Sequence, residues 1–331
     1  MRRILIGALV ATGLMTNAAN AEDITVRLQD YPGIGNMLFR IAAAKGFCHN
    51  HGIKCELQMI PSGPLGVQAL LAKSVDVAFP AAEVPINAAI KGSAVQIIIS
   101  GAQQNVFQIV VRDGLNIPDG GKDYKAMMNS LKGKKIGVPA RGSGAELQFH
   151  LLAEQAGLKP SDFIFVAVGS PNTSFGALKS SQIDASMTFE PSGSICDMLK
   201  SCTTVYRGAY APEPKDVART NGASAVLVVT QEMVEKSPKT VDALIAAAKD
   251  AQDFIQTPEN FAEALKIAKS YFQFKMPKGE EVMEASLKYA IPSYKIAVSR
   301  SALKQIADNM LATKQISAPF DTSRIIYAKA P

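Results

Sequence analysis

LKGKKIGVPARGSG (residues 131–144) runs directly into AELQFHLLAEQAGL, which ends at Leu158. In the first half Ile136 and Val138 read as a short buried strand, and Pro139 ends its ladder. Arg141, Gly142, Ser143 and Gly144 form a turn that opens a helix. In the second half Leu147, Leu151 and Leu152 recur at helical spacing, Phe149 widens the apolar face, and Gly157 stops the helix after Ala156. A strand entering a helix through small residues leaves unpaired backbone N–H groups above the sheet, and the helix dipole adds partial positive charge. The stretch therefore predicts an α/β unit with a socket for an anion.

An earlier piece of the chain resembles the piece after this socket. VQALLAKSVDVAFPAAEVP (residues 67–85) aligns without a gap to FGALKSSQIDASMTFEP (residues 175–191), because Asp184 follows Asp76 by 108 positions and Ser170 follows Ser62 by the same 108. Each copy has a serine in a turn, then a helix containing Ala-Leu, then a small-residue strand led by Val75-Asp76 or Ile183-Asp184. Two copies of a strand–helix–strand unit predict two lobes facing each other, with Ser62 and Ser170 on a shared crevice.

These segments, with INAAIKG after the first copy, resemble the periplasmic substrate-binding proteins of ABC importers in the nitrate, sulfonate and taurine family, and the NMT1/THI5-like domains akin to them. The similarity lies in the order of motifs over nearly all of the mature chain. It implies a two-lobed α/β periplasmic-binding-protein fold of type II, each lobe a mainly parallel sheet flanked by helices. The implied role is to close on a small organic anion, of sulfonate or carboxylate class, and deliver it to an inner-membrane permease with its ATPase. No cofactor is implied, and the chain is expected to be a monomer.

The remaining residues fit that expectation. Arg2 and Arg3 precede an apolar run over residues 4–15, and Ala19-Asn20-Ala21 has the small residues a signal peptidase reads. An exported protein cleaved after Ala21 is predicted, since the run is short for a membrane span. Removing 21 of 331 residues leaves 310, enough for two domains of ordinary size. A net charge of +6, no basic run beyond Lys132–Lys135, no Trp and scattered aromatics argue against a nucleic-acid partner. Residues 22–106 and 223–331 are read as one lobe and 107–222 as the other. The crossings lie near Gln103-Gln104-Asn105 and at the apolar run 225–229. Strands alternate with helices throughout, so mainly parallel sheets covered on both faces are predicted, with ligand at the carboxyl ends of the strands.

Four cysteines fall in two close pairs, Cys48 with Cys55 and Cys196 with Cys202. Two local disulfides, one per lobe, suit an exported chain. Cys48, His49, His51 and Cys55 as metal ligands are the alternative, though their intervals match no usual zinc knuckle. His150 reads as a helix-face residue beside Phe149.

The candidate ligand-binding residues are the strand-end turns. They are Asp30 and Tyr31, Ser62 and Gly63, Ala82 and Glu83, Gln104 at the crossing, Arg141, Gly142, Ser143 and Gly144 in the socket, Ser170 and Asn172, and Phe189 and Glu190. Arg141 offers a planar fork for a sulfonate or carboxylate, or else points to solvent. Ser143 caps its helix or donates to ligand. On this reading Arg141→Ala with Ser143→Ala weakens the solute and spares stability. Glu83 and Glu190 oppose an anion, so either they pair away from it or the solute also has a cationic or hydrogen-bonding portion. Asp76 and Asp184 read as structural.

An enzyme on the same fold, of the pyrimidine-precursor or menaquinone-pathway type, is the rival class, and a chemosensory module is the third. GxSxG, HExxH, a phosphate loop with lysine, and GxGxxG after the first strand are all absent from the sequence. No catalytic residue is therefore assigned.

Overall fold

The computed structural model describes residues 23–218 and 220–331, so the expected leader and its cleavage point lie outside the described residues. The chain begins with β1 (Ile24–Asp30), α1 (Met37–Ala44), α2 (Phe47–Asn50), β2 (Ile53–Met59), α3 (Gly63–Leu71), α4 (Glu83–Ile90) and β3 (Val95–Ala102). It then crosses to β4 (Gln108–Arg112), α5 (Tyr124–Ser130), β5 (Lys135–Val138), α6 (Gly144–Gln155), β6 (Ile164–Ala167), α7 (Pro171–Lys179), β7 (Ala185–Thr188), α8 (Ser192–Leu199), β8 (Cys202–Arg207) and α9 (Lys215–Ala218). It returns through β9 (Ala225–Thr230) to α10 (Gln231–Lys236), α11 (Pro238–Gln256), α12 (Phe261–Tyr271), α13 (Gly279–Ala290) and α14 (Arg300–Ala312).

Two sheets form, and they share one strand order. In the second sheet the order is β6-β5-β7-β4-β8. In the first, β2 pairs in parallel with β1, Leu28 of β1 bridges in parallel to Val77, Ala78 bridges to Val228 of β9, and β9 runs antiparallel to β3. The parallel arrangement predicted from strand–helix alternation holds for the first three strands of each sheet. It fails at the crossing strands, β9 and β4, which arrive from the opposite lobe and run antiparallel to both neighbours.

The apolar runs follow from this layering. Ile97, Ile98 and Ile99 on β3 and Val226 to Val229 on β9 are fully buried, as strands covered on both faces must be. On β4 the period of two separates the second lobe's core: Ile109 and Val111 join the cluster with Phe149 and Met187, while Val110 joins Leu178 and Ile183 on the other face. Helix α11 buries Val241, Leu244, Ala248, Ala251 and Ile255 at helical spacing against the first sheet.

The 108-residue register is visible in hydrogen bonds. Asp76 accepts the backbone N–H of Arg27 at 2.8 Å and its side chain at 2.8 and 2.9 Å. Asp184 accepts the backbone N–H of Lys135, 108 positions after Arg27, at 3.0 Å, and Arg112 Nε at 3.0 Å. Ser62 and Ser170 stand at the N-cap positions of α3 and α7. Both aspartates tie a third strand to a first strand.

Disulfides join Cys48 to Cys55 and Cys196 to Cys202, pinning α2 to β2 and α8 to β8. The metal alternative at the first pair does not form, because both thiols are consumed and the histidines turn elsewhere. His49 bonds Asp23, and His51 Nε2 lies 2.8 Å from Asp250. Among the described residues no helix is long and apolar enough to cross a membrane.

Candidate functional site

The loop after β1 is set by a buried ion pair. Arg40 is fully buried and donates through Nε to Asp30 at 2.9 Å, while its terminal nitrogens reach the carbonyls of Gly33 and Tyr31. A buried pair is tolerable only when its remaining donors are also met, as here. The pair consumes Asp30, which turns from the cleft towards α1. It also fixes Tyr31, whose ring meets Phe79 edge-on at 6.0 Å and Phe189, from the second lobe, at 6.1 Å.

Those three rings open the wall of a cavity between the lobes. Phe107, Tyr289 and Tyr294 complete it, with Ala81, Ala102 and Ala225 as smaller patches. Ala81 and Phe189 occupy the same place in the repeat, 108 positions apart, and both line the cavity, one with a methyl and the other with a phenyl. The space amounts to about 110 Å3, room for on the order of eight to ten waters.

Both crossing segments contribute to the lining through Gln104, Asn105, Ser224 and Ala225. They are laced together. The Asn105 N–H donates to Asn221 Oδ1 at 2.6 Å, the Val106 N–H to Ser224 Oγ at 3.1 Å, and the Gly222 N–H to the Gln103 carbonyl at 2.6 Å. Asn105 Oδ1 accepts the Phe107 N–H at 3.0 Å, so the other end of its amide is the Nδ2 donor, which is buried without a partner.

Glu190 also lines the cavity, but its charge is already met. It accepts from Arg207 Nη1 at 3.1 Å, Gln108 Nε2 at 3.3 Å and the Ser194 N–H at 3.2 Å, while Arg207 also bonds Asp197. Glu190 is therefore paired, as one option expected, but it stays in the lining instead of turning away. Arg207 itself is not part of the lining; its guanidinium lies over the Tyr289 ring at 5.0 Å. Burial pushes Tyr289 up to about 12 and raises Tyr31 and Tyr294 further, so all three phenols stay protonated at neutral pH.

The socket at residues 141–144 is filled by the protein itself. Glu146 Oε1 takes Arg141 Nε at 2.8 Å, Glu146 Oε2 takes the Gly142 N–H at 2.6 Å, and Ser143 caps α6 by accepting the Glu146 N–H. Arg141 is otherwise exposed, and neither it nor Gly142, Ser143 or Gly144 lines the cavity. A second anion there would meet the first one's repulsion. The signal was present as Ser143-x-x-Glu146, the spacing of a capping box.

The other predicted positions also fall outside the lining. Ser62 and Ser170 do not share this cavity: Ser62 is buried, with its carbonyl held by Gln29 Nε2 at 2.9 Å, and Ser170 faces Thr173 of its own helix. Gly63 backs the Tyr31 hydroxyl, Ala82 lies buried behind Ala81, and Asn172 sits in the first turn of α7. Glu83 packs between lobes, since a Cβ on Gly144 would lie 3.2 Å from its Oε2 and 2.3 Å from Ala81 Cβ. Of the predicted set, the lining therefore gathers Tyr31, Gln104, Phe189 and Glu190. Phe79, Asn105, Phe107, Ser224, Tyr289, Ser293 and Tyr294 were not singled out. The pair Tyr289 and Tyr294, flanking Pro292 at a helix end, was the available hint.

Residues 36–261, more than half of the chain, match the family described as NMT1/THI5 like. The chain belongs to that family. Among relatives of this NMT1/THI5-like protein, a Brucella abortus (strain 2308) chain named "putative binding protein" is 27% identical over 297 residues, 86% of each chain. The fold matches the alkanesulfonate-binding protein SsuA of Xanthomonas axonopodis pv. citri bound to MOPS, with TM-score 0.74, 16% identity and 93% and 99% of the two chains covered. It also matches the nitrate-binding protein NrtA of Synechocystis PCC 6803, with TM-score 0.76, 16% identity and 92% and 86% covered. The NMT1/THI5-like chain thus has the periplasmic-binding-protein fold, with two lobes and two crossings.

Proposed function

We propose that this protein is the periplasmic solute-binding component of an ABC importer, capturing a small solute by hinge closure and presenting it to an inner-membrane permease with its ATPase. One observation supports this most strongly: a cavity walled by both lobes and lined by both crossing segments, so that whatever fills it contacts every part that must move. Residues 22–106 and 223–331 form one body on this reading and 107–222 the other. Kinship with a named binding protein and with the SsuA and NrtA folds agrees with it. Binding, without turnover, also suits a lining whose one carboxylate is neutralised by Arg207 and whose phenols are held protonated. The solute class expected from the resemblance is an organic anion; Tyr31, Gln104, Phe189 and Glu190 are the predicted contacts retained.

Filling the cavity tests the reading. A solute that raises the melting temperature of the wild type, as a ligand of the native state must, is expected to leave Ala81→Phe unmoved, because the added ring occupies the same space. Equal shifts in both proteins would place binding elsewhere. Small-angle scattering should show the wild type contracting with that solute.

A further inference from the structure

The cavity's chemistry does not suit an anion. Among the described residues no lysine, arginine or histidine lines it, and its one acid is already ion-paired. A carboxylate or sulfonate entering would leave its hydration shell without gaining a countercharge from any of these residues, and a buried ion without a partner is strongly disfavoured. What the lining does offer is aromatic area and uncharged polar groups. Tyr31 meets Phe79 and Phe189 edge-on, and with Phe107, Tyr289 and Tyr294 these rings give a guest aromatic surface to pack against. Gln104 has no hydrogen-bond partner among the described residues. Asn105 is 1% exposed and keeps an unpartnered Nδ2 donor, although its Oδ1 is bound. An orphaned buried donor costs the folded state until something accepts from it.

We propose that the cavity selects an uncharged planar aromatic or heteroaromatic solute bearing a hydrogen-bond acceptor such as a carboxamide oxygen, and rejects organic anions of the same shape. This rests on the solute-binding reading above and adds charge and functional group to it. The ring lies among the aromatic walls; the acceptor faces the amides of Gln104 and Asn105 at the crossing segment, so recognition is coupled to the hinge.

Calorimetry with a matched probe set tests it: benzamide, benzoate, benzenesulfonate and benzylamine, against the full mature chain. Benzamide is expected to bind at least about tenfold tighter than either anion, since one unmet charge or hydrogen bond in a buried site is of that order. Asn105→Asp keeps the oxygen that accepts from Phe107 and removes the donor; it is expected to weaken benzamide about tenfold. Gln104→Lys, at a side chain with no partner to lose, supplies the missing cation and is expected to shift preference towards benzoate and benzenesulfonate. Should Asn105→Asp fail to fold, the Gln104→Lys inversion decides alone. A wild type that binds benzenesulfonate or benzoate more tightly than benzamide overturns the selectivity and leaves the binding-protein reading intact. Binding of none of the four by any variant overturns the aromatic assignment of the cavity, while the solute-binding reading stands or falls on the Ala81→Phe comparison.

Discussion

Glu146 decides what the turn at residues 141–144 does. With its carboxylate on Arg141 Nε and the Gly142 N–H, the helix terminus is satisfied from within. The double change Arg141→Ala with Ser143→Ala is therefore expected to spare solute affinity and reduce stability, the reverse of what an anion socket would give. The Ser143 cap contributes about 1 kcal/mol. The bond from the largely exposed Arg141 adds less than a buried pair would, because solvent screens it. A total loss of about 1–2 kcal/mol in urea unfolding, with unchanged calorimetric affinity, is the expected pattern; a large affinity loss at constant stability would restore the socket.

Helices α8 and α2 are each held to a strand by a short disulfide loop, and the two loops should differ in what they protect. Closing so few residues stabilises by about 2–3 kcal/mol on the loop-entropy account. Replacing Cys48 and Cys55 with serine is expected to lower stability by about that amount and leave the cavity alone. Replacing Cys196 and Cys202 loosens α8 against β8, the elements from which Glu190 accepts the Ser194 N–H and Arg207. That variant is expected to lose solute affinity as well, measured beside the first. At this scale the chain was largely readable in advance. Strand–helix alternation, turn residues and the repeat at 108 positions are local signals, so they survive without coordinates. The cavity is different. Phe79, Phe107 and Tyr289 stand far apart in the chain and meet only in the folded molecule, so each reads alone as core or punctuation. Glu146 was missed for the opposite reason: its partner lies so near that the turn looked vacant.

Across the whole molecule, Glu83 sits where the lobes touch. It lines a void of about 10 Å3, room for roughly one water, with Leu147, Gln148, Thr220, Asn309 and Gln315, none of them charged. Burial pushes its carboxyl up to about 7. A carboxyl whose folded-state pKa exceeds the unfolded value keeps a proton that the unfolded chain has shed, so stability falls as pH rises from about 4.5 to about 7 and then levels off. The loss approaches about 3 kcal/mol, and Glu83→Gln is expected to remove most of this slope in urea titrations between pH 5 and 8. A wild-type slope unchanged by Glu83→Gln would show that other groups set it. Close by, α14 belongs to the first lobe's core, yet Asn309 Nδ2 donates to the Asp216 carbonyl at 3.0 Å, and Gln315 just past its end donates to the Leu147 carbonyl at 3.1 Å, both in the second lobe. These bonds moor one rim. On the hinge reading both bonds must break before that rim can open, so the flank where Gly33 approaches Pro191 is expected to part more readily.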